Sequence, residues 1–239
     1  MEAIILAAGY GTRLGSDIPK ALLPVGGTPL KRMLDELEEI EDISRVHVVT
    51  NHRFHGDFER WLSGYTGIKE INLIDDRTTS NEGRLGTIGD LGLALERIDD
   101  DVLVLVSDRL FTEYNLRDFC ADYREHGEAS TIYVDIGDLD KVRGKAEIVL
   151  NGRWIEKVRE KPEDPETTMV SLGFYIYPKR AIGLVRRYLD EGNNPDPPGY
   201  FLQWFKENGY KLAGFPLSGQ CLDLGTEEHL REAQGLFGK

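Results

Sequence analysis

A glycine-rich turn near the N-terminus carries the residues best suited to chemistry. A short apolar run opens into Gly9 and Gly11, and we call residues 7–15 the glycine loop. Two cations, Arg13 and Lys20, lie within this loop or just beyond it. Glycine turns leave successive backbone N–H groups free to point at an anion, and phosphate is the common anion that binds such groups together with cations. The sequence therefore predicts a phosphate site at the end of its first strand.

The spacing within the glycine loop separates several kinds of phosphate site. A P-loop needs a Gly-Lys-Ser/Thr triplet at a fixed distance, and no such triplet follows. The dinucleotide fingerprint G-x-G-x-x-G matches at its first two glycines, but Leu14 takes the place of the third, which close helix–strand packing requires. An arginine inside the loop is also unusual for a cofactor that is only bound. The pattern favours a triphosphate that reacts, while a dinucleotide site and a structural β-turn stay open.

An aspartate at the end of a buried strand predicts a metal site. Asp108 follows the apolar run Val102–Val106, where a carboxylate costs desolvation free energy unless it meets a cation. Magnesium suits this place, because it binds one or two carboxylates together with phosphates and water. The alternative role of Asp108 is a helix N-cap. Asp223, just before the last predicted helix, is by itself equally typical of an acid at a helix start.

A third motif is suited to reading a nucleobase. Asn81 is followed five residues later by Gly86 and Thr87 at a predicted helix start. The side-chain amide can offer a donor and an acceptor to a base edge, and the glycine lets the ring approach the backbone. The alternative is a simple turn, with Thr87 as the helix N-cap.

The order of these motifs resembles one family. Leu-Ala-Ala-Gly-x-Gly-Thr-Arg-Leu, followed by Pro-Lys, resembles the signature of sugar-phosphate nucleotidyltransferases, the NDP-sugar pyrophosphorylases that include glucose-1-phosphate thymidylyltransferases and uridylyltransferases. The resemblance implies that nucleotide-binding residues include Leu6, Ala8, Gly9, Gly11, Thr12, Asn81, Gly86 and Thr87. Asn81 stands where glutamine is more common in the family, and Ser107 replaces a usual glycine before Asp108.

The resemblance also assigns the metal and the acceptor sites. The Asp-Leu-Gly-Thr motif makes Asp223 the second Mg²⁺ ligand beside Asp108. In Glu-Lys-Pro, Glu160 would accept hydrogen bonds from sugar hydroxyls and Lys161 would bind the acceptor phosphate. The remaining residues implied at the sugar phosphate are Gly144 and Ser171. Arg143 replaces the family's aromatic residue before Gly144, and Ser171 stands where relatives carry Asn or Val, so the identity of the sugar stays open.

The implied activity is Mg²⁺-dependent transfer of a nucleoside monophosphate from an NTP to a sugar 1-phosphate, with release of pyrophosphate. Because the nucleophile is already anionic, catalysis would consist of positioning and charge neutralisation by Arg13, Lys20 and Lys161. The runner-up is a cytidylyltransferase for a phosphorylated alcohol, such as phosphocholine or a polyol or inositol phosphate. A non-catalytic regulatory subunit that binds a nucleotide sugar is the alternative from another class.

Composition limits the partners. The chain has 239 residues and a formal net charge of −13. Nucleic acids and anionic membranes attract basic faces, so this balance argues against both partners. Cys120 and Cys221 have no ligand-like spacing, which predicts free thiols in a reducing compartment, and no apolar run reaches the ~20 residues of a membrane span. These features predict a cytoplasmic protein and leave homo-oligomer formation open.

The elements that must position these motifs alternate in type. Apolar runs alternate with helical patterns over the first two-thirds of the chain, and continuous apolar strands are typical of a parallel sheet covered on both faces. Beyond about residue 146, Asn151-Gly152 indicates a hairpin. We therefore expect an α/β fold, a doubly wound, mostly parallel Rossmann-like sheet of the nucleotide-diphospho-sugar transferase type with a small antiparallel extension. We expect one domain over 1–239, with a nucleotide lobe at about 1–135 and a sugar-phosphate lobe at about 136–239.

Overall fold

A computed structural model describes residues 1–12, 14–15 and 17–237 of the chain. Its strands are β1 (Glu2–Leu6), β2 (Arg45–Thr50), β3 (Glu70–Asp75), β4 (Val102–Val106), β5 (Arg109–Phe111), β6 (Ala129–Asp135), β7 (Ala146–Asn151), β8 (Trp154–Glu160), β9 (Met169–Tyr177), β10 (Leu212–Pro216) and β11 (Cys221–Asp223). Nine of them form one sheet in the order β3-β2-β1-β4-β9-β6-β10-β8-β7, and β5 pairs with β11 in a separate two-stranded sheet.

The helices in the described part of the chain begin with or without a side-chain cap. They are α1 (Pro29–Glu38), α2 (His52–Leu62), α3 (Thr87–Leu95), α4 (Leu116–His126), α5 (Lys179–Asp190), α6 (Gly199–Glu207) and α7 (Glu227–Phe237). The Thr28 side chain accepts a hydrogen bond from the Lys31 backbone N–H at the start of α1, and Asn51 accepts one from Phe54 at the start of α2. These side chains satisfy N–H groups that have no partner within the first helical turn.

The first half of the sheet is parallel and buried on both faces. β1 pairs in parallel with β2 and β4, and β3 pairs in parallel with β2. Alternate residues of β1 enter two different core clusters, with Ala3 and Ile5 in one and Ile4 and Leu6 in the other. This burial on both faces explains the continuous apolar sequence of the strand. The doubly wound, mostly parallel core predicted from the sequence is confirmed.

The antiparallel strands continue the same sheet. β9 lies between β4 and β6 and is antiparallel to both, while β10 is parallel to β6. β7 and β8 form the predicted hairpin, but Asn151 belongs to β7 and pairs with Trp154, so the two-residue turn is Gly152-Arg153 rather than Asn151-Gly152. Because β9 is buried along most of its length, it fits the centre of the sheet rather than an edge.

Within the described part of the chain, no helix is long and apolar enough to cross a membrane.

The small β5–β11 sheet joins two distant parts of the chain. Asp223 in β11 pairs with Arg109 in β5, and the Leu224 N–H donates to the Asp108 carbonyl at 2.8 Å. Neither short strand was predicted, because three residues are too few to show a periodic pattern. This pairing brings Asp223 next to the end of β4.

Candidate active site

A cavity of about 680 Å³ opens beyond the C-terminal ends of β1 and β4. Ligands of open α/β sheets bind at this edge of the sheet. The predicted site residues that line it are Leu6, Ala8, Gly9, Gly11, Thr12, Lys20, Asn81, Gly86, Thr87, Asp108, Gly144, Glu160, Lys161, Ser171 and Asp223. Arg13 lies outside the described residues. The fold thus brings together every predicted site residue that it describes.

A buried side-chain amide at the end of β2 forms a hydrogen bond with the glycine loop. The Asn51 side chain is fully buried, and its Nδ2 donates to the Ala8 carbonyl at 2.8 Å. The same side chain caps α2 through its Oδ1, at 3.0 Å from the Phe54 nitrogen. One amide therefore holds both the start of the loop and the start of a helix, which fixes the loop relative to the sheet.

Lys20 and the aspartates form a charged group at the end of β4. Lys20 Nζ lies 3.6 Å from Asp108 Oδ2, and the lysine side chain is only 13% exposed. Asp223 Oδ1 is buried and has no hydrogen-bond partner among the described residues. A buried carboxylate oxygen without a partner is unfavourable unless a cation binds it, so this pair of carboxylates fits a divalent cation.

The part of the chain that the structure describes contains no group of three or more His, Cys, Asp or Glu side chains arranged to hold a metal ion. A cation bound by Asp108 and Asp223 would therefore need further ligands from outside the protein. Phosphate oxygens and water are the ligands that Mg²⁺ keeps when a protein offers few carboxylates. Two carboxylates are therefore a donor set that Mg²⁺ could share with phosphate oxygens and water.

The predicted base motif lies at the start of α3. Gly86, not Thr87, is the N-cap of this helix, so the N-cap alternative for Thr87 is wrong. Gly86 has φ +81°, and a Cβ there would come within 2.9 Å of the Pro195 carbonyl oxygen, so only glycine fits. Thr87 Oγ1 instead donates to Asp196 Oδ1 at 2.8 Å. This bond joins the start of α3 to the loop that precedes α6.

Sequence reasoning missed a buried pair of carboxyl groups beside this motif. Asp90, one turn into α3, lines the cavity and is 8% exposed, and Asp76 is 7% exposed. Burial, reinforced by Asp76, raises the pKa of Asp90 to about 8. Asp76 accepts hydrogen bonds from the Thr78 backbone N–H and hydroxyl, and Thr78 Oγ1 lies 2.8 Å from the Tyr10 hydroxyl. A lone aspartate in the otherwise apolar segment of α3 was the available signal.

Glu160 and Lys161 lie at the other end of the cavity, where β8 ends. Burial raises the pKa of Glu160 to about 7, against the opposing effect of Lys161. A Cβ on Gly199 would overlap Glu160 Oε2 and would lie 2.8 Å from the Ala146 Cβ, so any larger residue at the start of α6 would displace the Glu160 carboxylate. Ser171 is buried, and its hydroxyl bonds to Thr131 Oγ1 at 2.7 Å.

The profile of the family described as Nucleotidyl transferase matches residues 2–237 of this sequence. The chain belongs to the nucleotidyl transferase family.

A 2-C-methyl-D-erythritol 4-phosphate cytidylyltransferase of Bifidobacterium longum subsp. infantis is 32% identical over 154 residues, which cover 59% of this chain and 52% of that protein. The match thus spans about half the length of that relative. The UTP–glucose-1-phosphate uridylyltransferase AglF of Haloferax volcanii is 25% identical over 239 residues, with 98% and 95% of the two chains covered.

Solved structures of other proteins share this fold. A UDP-glucose pyrophosphorylase complexed with UDP-glucose superposes with a TM-score of 0.80 at 18% identity, covering 99% of this chain and 98% of the other. The inositol-1-phosphate CTP transferase from T. maritima gives a TM-score of 0.77 at 18% identity, covering 100% of this chain and 95% of the other. At such identities the likeness shows the fold, and the expected nucleotide-diphospho-sugar transferase type is confirmed.

Proposed function

We propose that the chain transfers a nucleoside monophosphate from an NTP to the phosphate of a sugar 1-phosphate and releases pyrophosphate. The observation that carries this proposal is the single cavity that joins the glycine loop, the Asp108–Asp223 pair and Glu160–Lys161. The reaction needs a site for the triphosphate donor and a site for the phosphorylated acceptor in one cavity, so that the attacking oxygen can reach the α-phosphorus. Membership of the nucleotidyl transferase family supports the same reaction.

The proposed chemistry is an in-line displacement at the α-phosphorus. An oxygen of the acceptor phosphate attacks, a new P–O bond forms, and the bond from the α-phosphorus to the oxygen bridging to the β-phosphate breaks. Pyrophosphate leaves with that electron pair. Because the attacking oxygen is already anionic, no general base is required. The described residues would orient both substrates. The ammonium groups of Lys20 and Lys161, which line the cavity, would lie near the phosphates and offset their negative charge.

We propose that Asp108 and Asp223 hold a divalent cation together with the triphosphate. The cation would neutralise negative charge on the phosphates. The buried, unpartnered Oδ1 of Asp223 and the position of Asp108 at the end of β4 support these ligands. Lys20, 3.6 Å from Asp108, would hold that carboxylate in place and meet the same phosphates.

The two halves of the chain would then divide the substrates. Residues up to about 135 would bind the nucleotide, and residues from about 136 would bind the acceptor, as the sequence predicts. Asp223 crosses this division, because β11 returns to the nucleotide end through its pairing with β5.

A second acceptor class has support of its own. The relative at 32% identity is named as a cytidylyltransferase for a phosphorylated polyol, and a fold neighbour as an inositol-1-phosphate CTP transferase. The reaction on such an acceptor is the same displacement, and a carboxylate such as Glu160 can accept hydrogen bonds from polyol hydroxyls as well as from sugar hydroxyls. The acceptor would therefore be either a sugar 1-phosphate or a phosphorylated alcohol.

A substrate screen tests the reaction and separates the two classes. UTP, dTTP, CTP and GTP are each paired with a panel of sugar 1-phosphates and alcohol phosphates, and released pyrophosphate is measured. The proposal expects release with at least one pair. Absence of release with every pair, at a normal melting temperature, would refute it.

An aspartate variant tests the metal site. Asp108→Asn should lower pyrophosphate release by roughly 100-fold or more, because it removes a charged ligand of the proposed cation that would neutralise the reacting phosphates. The control is Asp190→Asn on α5, where the carboxylate is 71% exposed and is not among the residues that line the cavity. Near-normal turnover of folded Asp108→Asn with Mg²⁺ would remove this residue from the proposal.

A further inference from the structure

Arg109 is a cation inside the cavity that the sequence motifs did not assign. It is the first residue of β5, and its side chain lines the cavity. Among the residues that the structure describes, its side chain has one hydrogen bond, from Nη1 to Cys221 Sγ at 3.9 Å, and no ion pair within bonding distance. A thiol is a weak acceptor for a guanidinium, which carries five N–H donors. Most of the hydrogen-bonding capacity of Arg109 is therefore unused.

The charge of Arg109 reaches both ends of the site. Asp108 and Asp223 lie close enough on one side to interact electrostatically with the guanidinium. On the other side the same charge acts on Glu160 and on the phenol of Tyr175, both of which line the cavity. Arg109 thus shares one cavity with the carboxylate pair at the nucleotide end and with Glu160 at the acceptor end.

The proposed reaction requires an anion near the carboxylate pair. The acceptor phosphate must touch the α-phosphate, which the proposed cation would hold near Asp108 and Asp223, while the rest of the acceptor would extend towards Glu160. A guanidinium matches the oxygens of a phosphate through two parallel N–H···O bonds, whereas a lysine offers only a point charge. Lys161, which is exposed, could approach the same phosphate from the rim.

We propose that Arg109 binds the phosphate group of the acceptor and fixes the orientation of its attacking oxygen, with Lys161 as a second contact. The inference rests on the proposed function and adds a residue to it. A purely structural role is the competing explanation, in which Arg109 only balances Asp108 and Asp223. That role would change the stability of the protein and the binding of NTP rather than the binding of the acceptor.

Steady-state kinetics separate these roles. Arg109→Gln should raise KM for the acceptor roughly 10- to 100-fold, the loss of charge-assisted hydrogen bonds, and should leave KM for NTP within about twofold. Arg109→Lys keeps the charge but loses the paired N–H bonds, so a smaller rise in acceptor KM is expected. The matched control is Arg186→Gln on α5, whose side chain is 80% exposed and should change neither constant.

A binding measurement keeps the inference testable without turnover. Calorimetric titration of inorganic phosphate and of glucose 1-phosphate should show weaker binding to Arg109→Gln than to the unchanged protein, and unchanged binding to Arg186→Gln. Equal phosphate binding in all three proteins, or a rise in NTP KM as large as the rise in acceptor KM, would overturn the inference. Should Arg109→Gln fail to melt cooperatively, Arg109→Lys decides by the same two readouts.

The two proposals fail separately. If the unchanged protein releases no pyrophosphate in the substrate screen but Arg109→Gln loses phosphate binding, the proposed function is wrong and the anion site stands. If the unchanged protein is active and Arg109→Gln keeps its acceptor KM, only the role of Arg109 is wrong.

Discussion

Replacing Asp90 with asparagine should stabilise the protein relative to the unchanged chain, and this difference in the free energy of unfolding should grow as the pH rises. The Asp90 carboxyl is buried in α3 against Asp76, with Asp196 also near, and these surroundings disfavour its charge. Burial and the neighbouring acid raise its pKa from 3.8 to about 8. Asp90→Asn keeps the shape and polarity of the protonated acid and cannot ionise.

The size of the effect follows from proton linkage. Between about pH 4 and pH 8 the folded state binds a proton at Asp90 that the unfolded chain has released, so the free energy of unfolding falls as the pH rises. The slope is at most about 1.4 kcal/mol per pH unit. This contribution is fully present below the unfolded pKa and is lost by about pH 8. From pH 5 to pH 8 the variant should gain roughly 4 kcal/mol relative to the unchanged protein.

Urea unfolding at pH 5, 6, 7 and 8 measures this difference. Asp190→Asn, the exposed aspartate on α5, serves as control and should run parallel to the unchanged protein at every pH. Parallel curves for Asp90→Asn and the unchanged protein would show that Asp90 ionises normally in the folded state. The linkage argument would then be wrong.

Three further predictions concern the two ends of the cavity. Gly199→Ala should raise acceptor KM with little change in NTP KM, because the added Cβ displaces Glu160. The control is Gly183→Ala on α5, where an added Cβ meets no other atom and should change neither constant. In the unchanged protein kcat/KM for the acceptor should fall as the pH drops below about 7, and Glu160→Gln should remove the part of this fall that comes from the carboxylate. Asn51→Ala should lower the free energy of unfolding by roughly 2–4 kcal/mol, because it removes both a helix cap and a buried hydrogen-bond donor to the glycine loop. Thr28→Ala removes only a helix cap and should cost about 1 kcal/mol. Urea unfolding measures both changes.

Contiguous motifs made much of the site predictable. The glycine loop follows an apolar strand, and Asp108 follows another, so both were expected at the same edge of a parallel sheet. Continuous apolar runs in β1 and β4 gave the parallel core, because only burial on both faces tolerates them. Glu160 entered through its motif alone, since nothing local shows that β8 would end beside the loop before α6.

The features that were missed depend on contacts between distant residues. β5 and β11 pair across more than a hundred residues and are three residues each, so neither has a pattern of its own. Arg109 follows Asp108 directly, but its place in the same cavity as Glu160 depends on the whole fold. The environment of Asp90 requires Asp76 from the loop after β3. Long-range geometry of this kind has no signature in a local window.

The pairing of β11 with β5 determines how the protein should respond to heat. Asp223 is carried by a three-residue strand, and the segment that follows packs on a small cluster that includes Val25, Leu110, Leu224 and Ala233. The nine-stranded sheet, in contrast, is buried between two much larger clusters. Segments with few buried contacts open at lower free energy than the core. Thermal inactivation should therefore precede melting, with catalysis lost at temperatures where circular dichroism still reports an intact sheet.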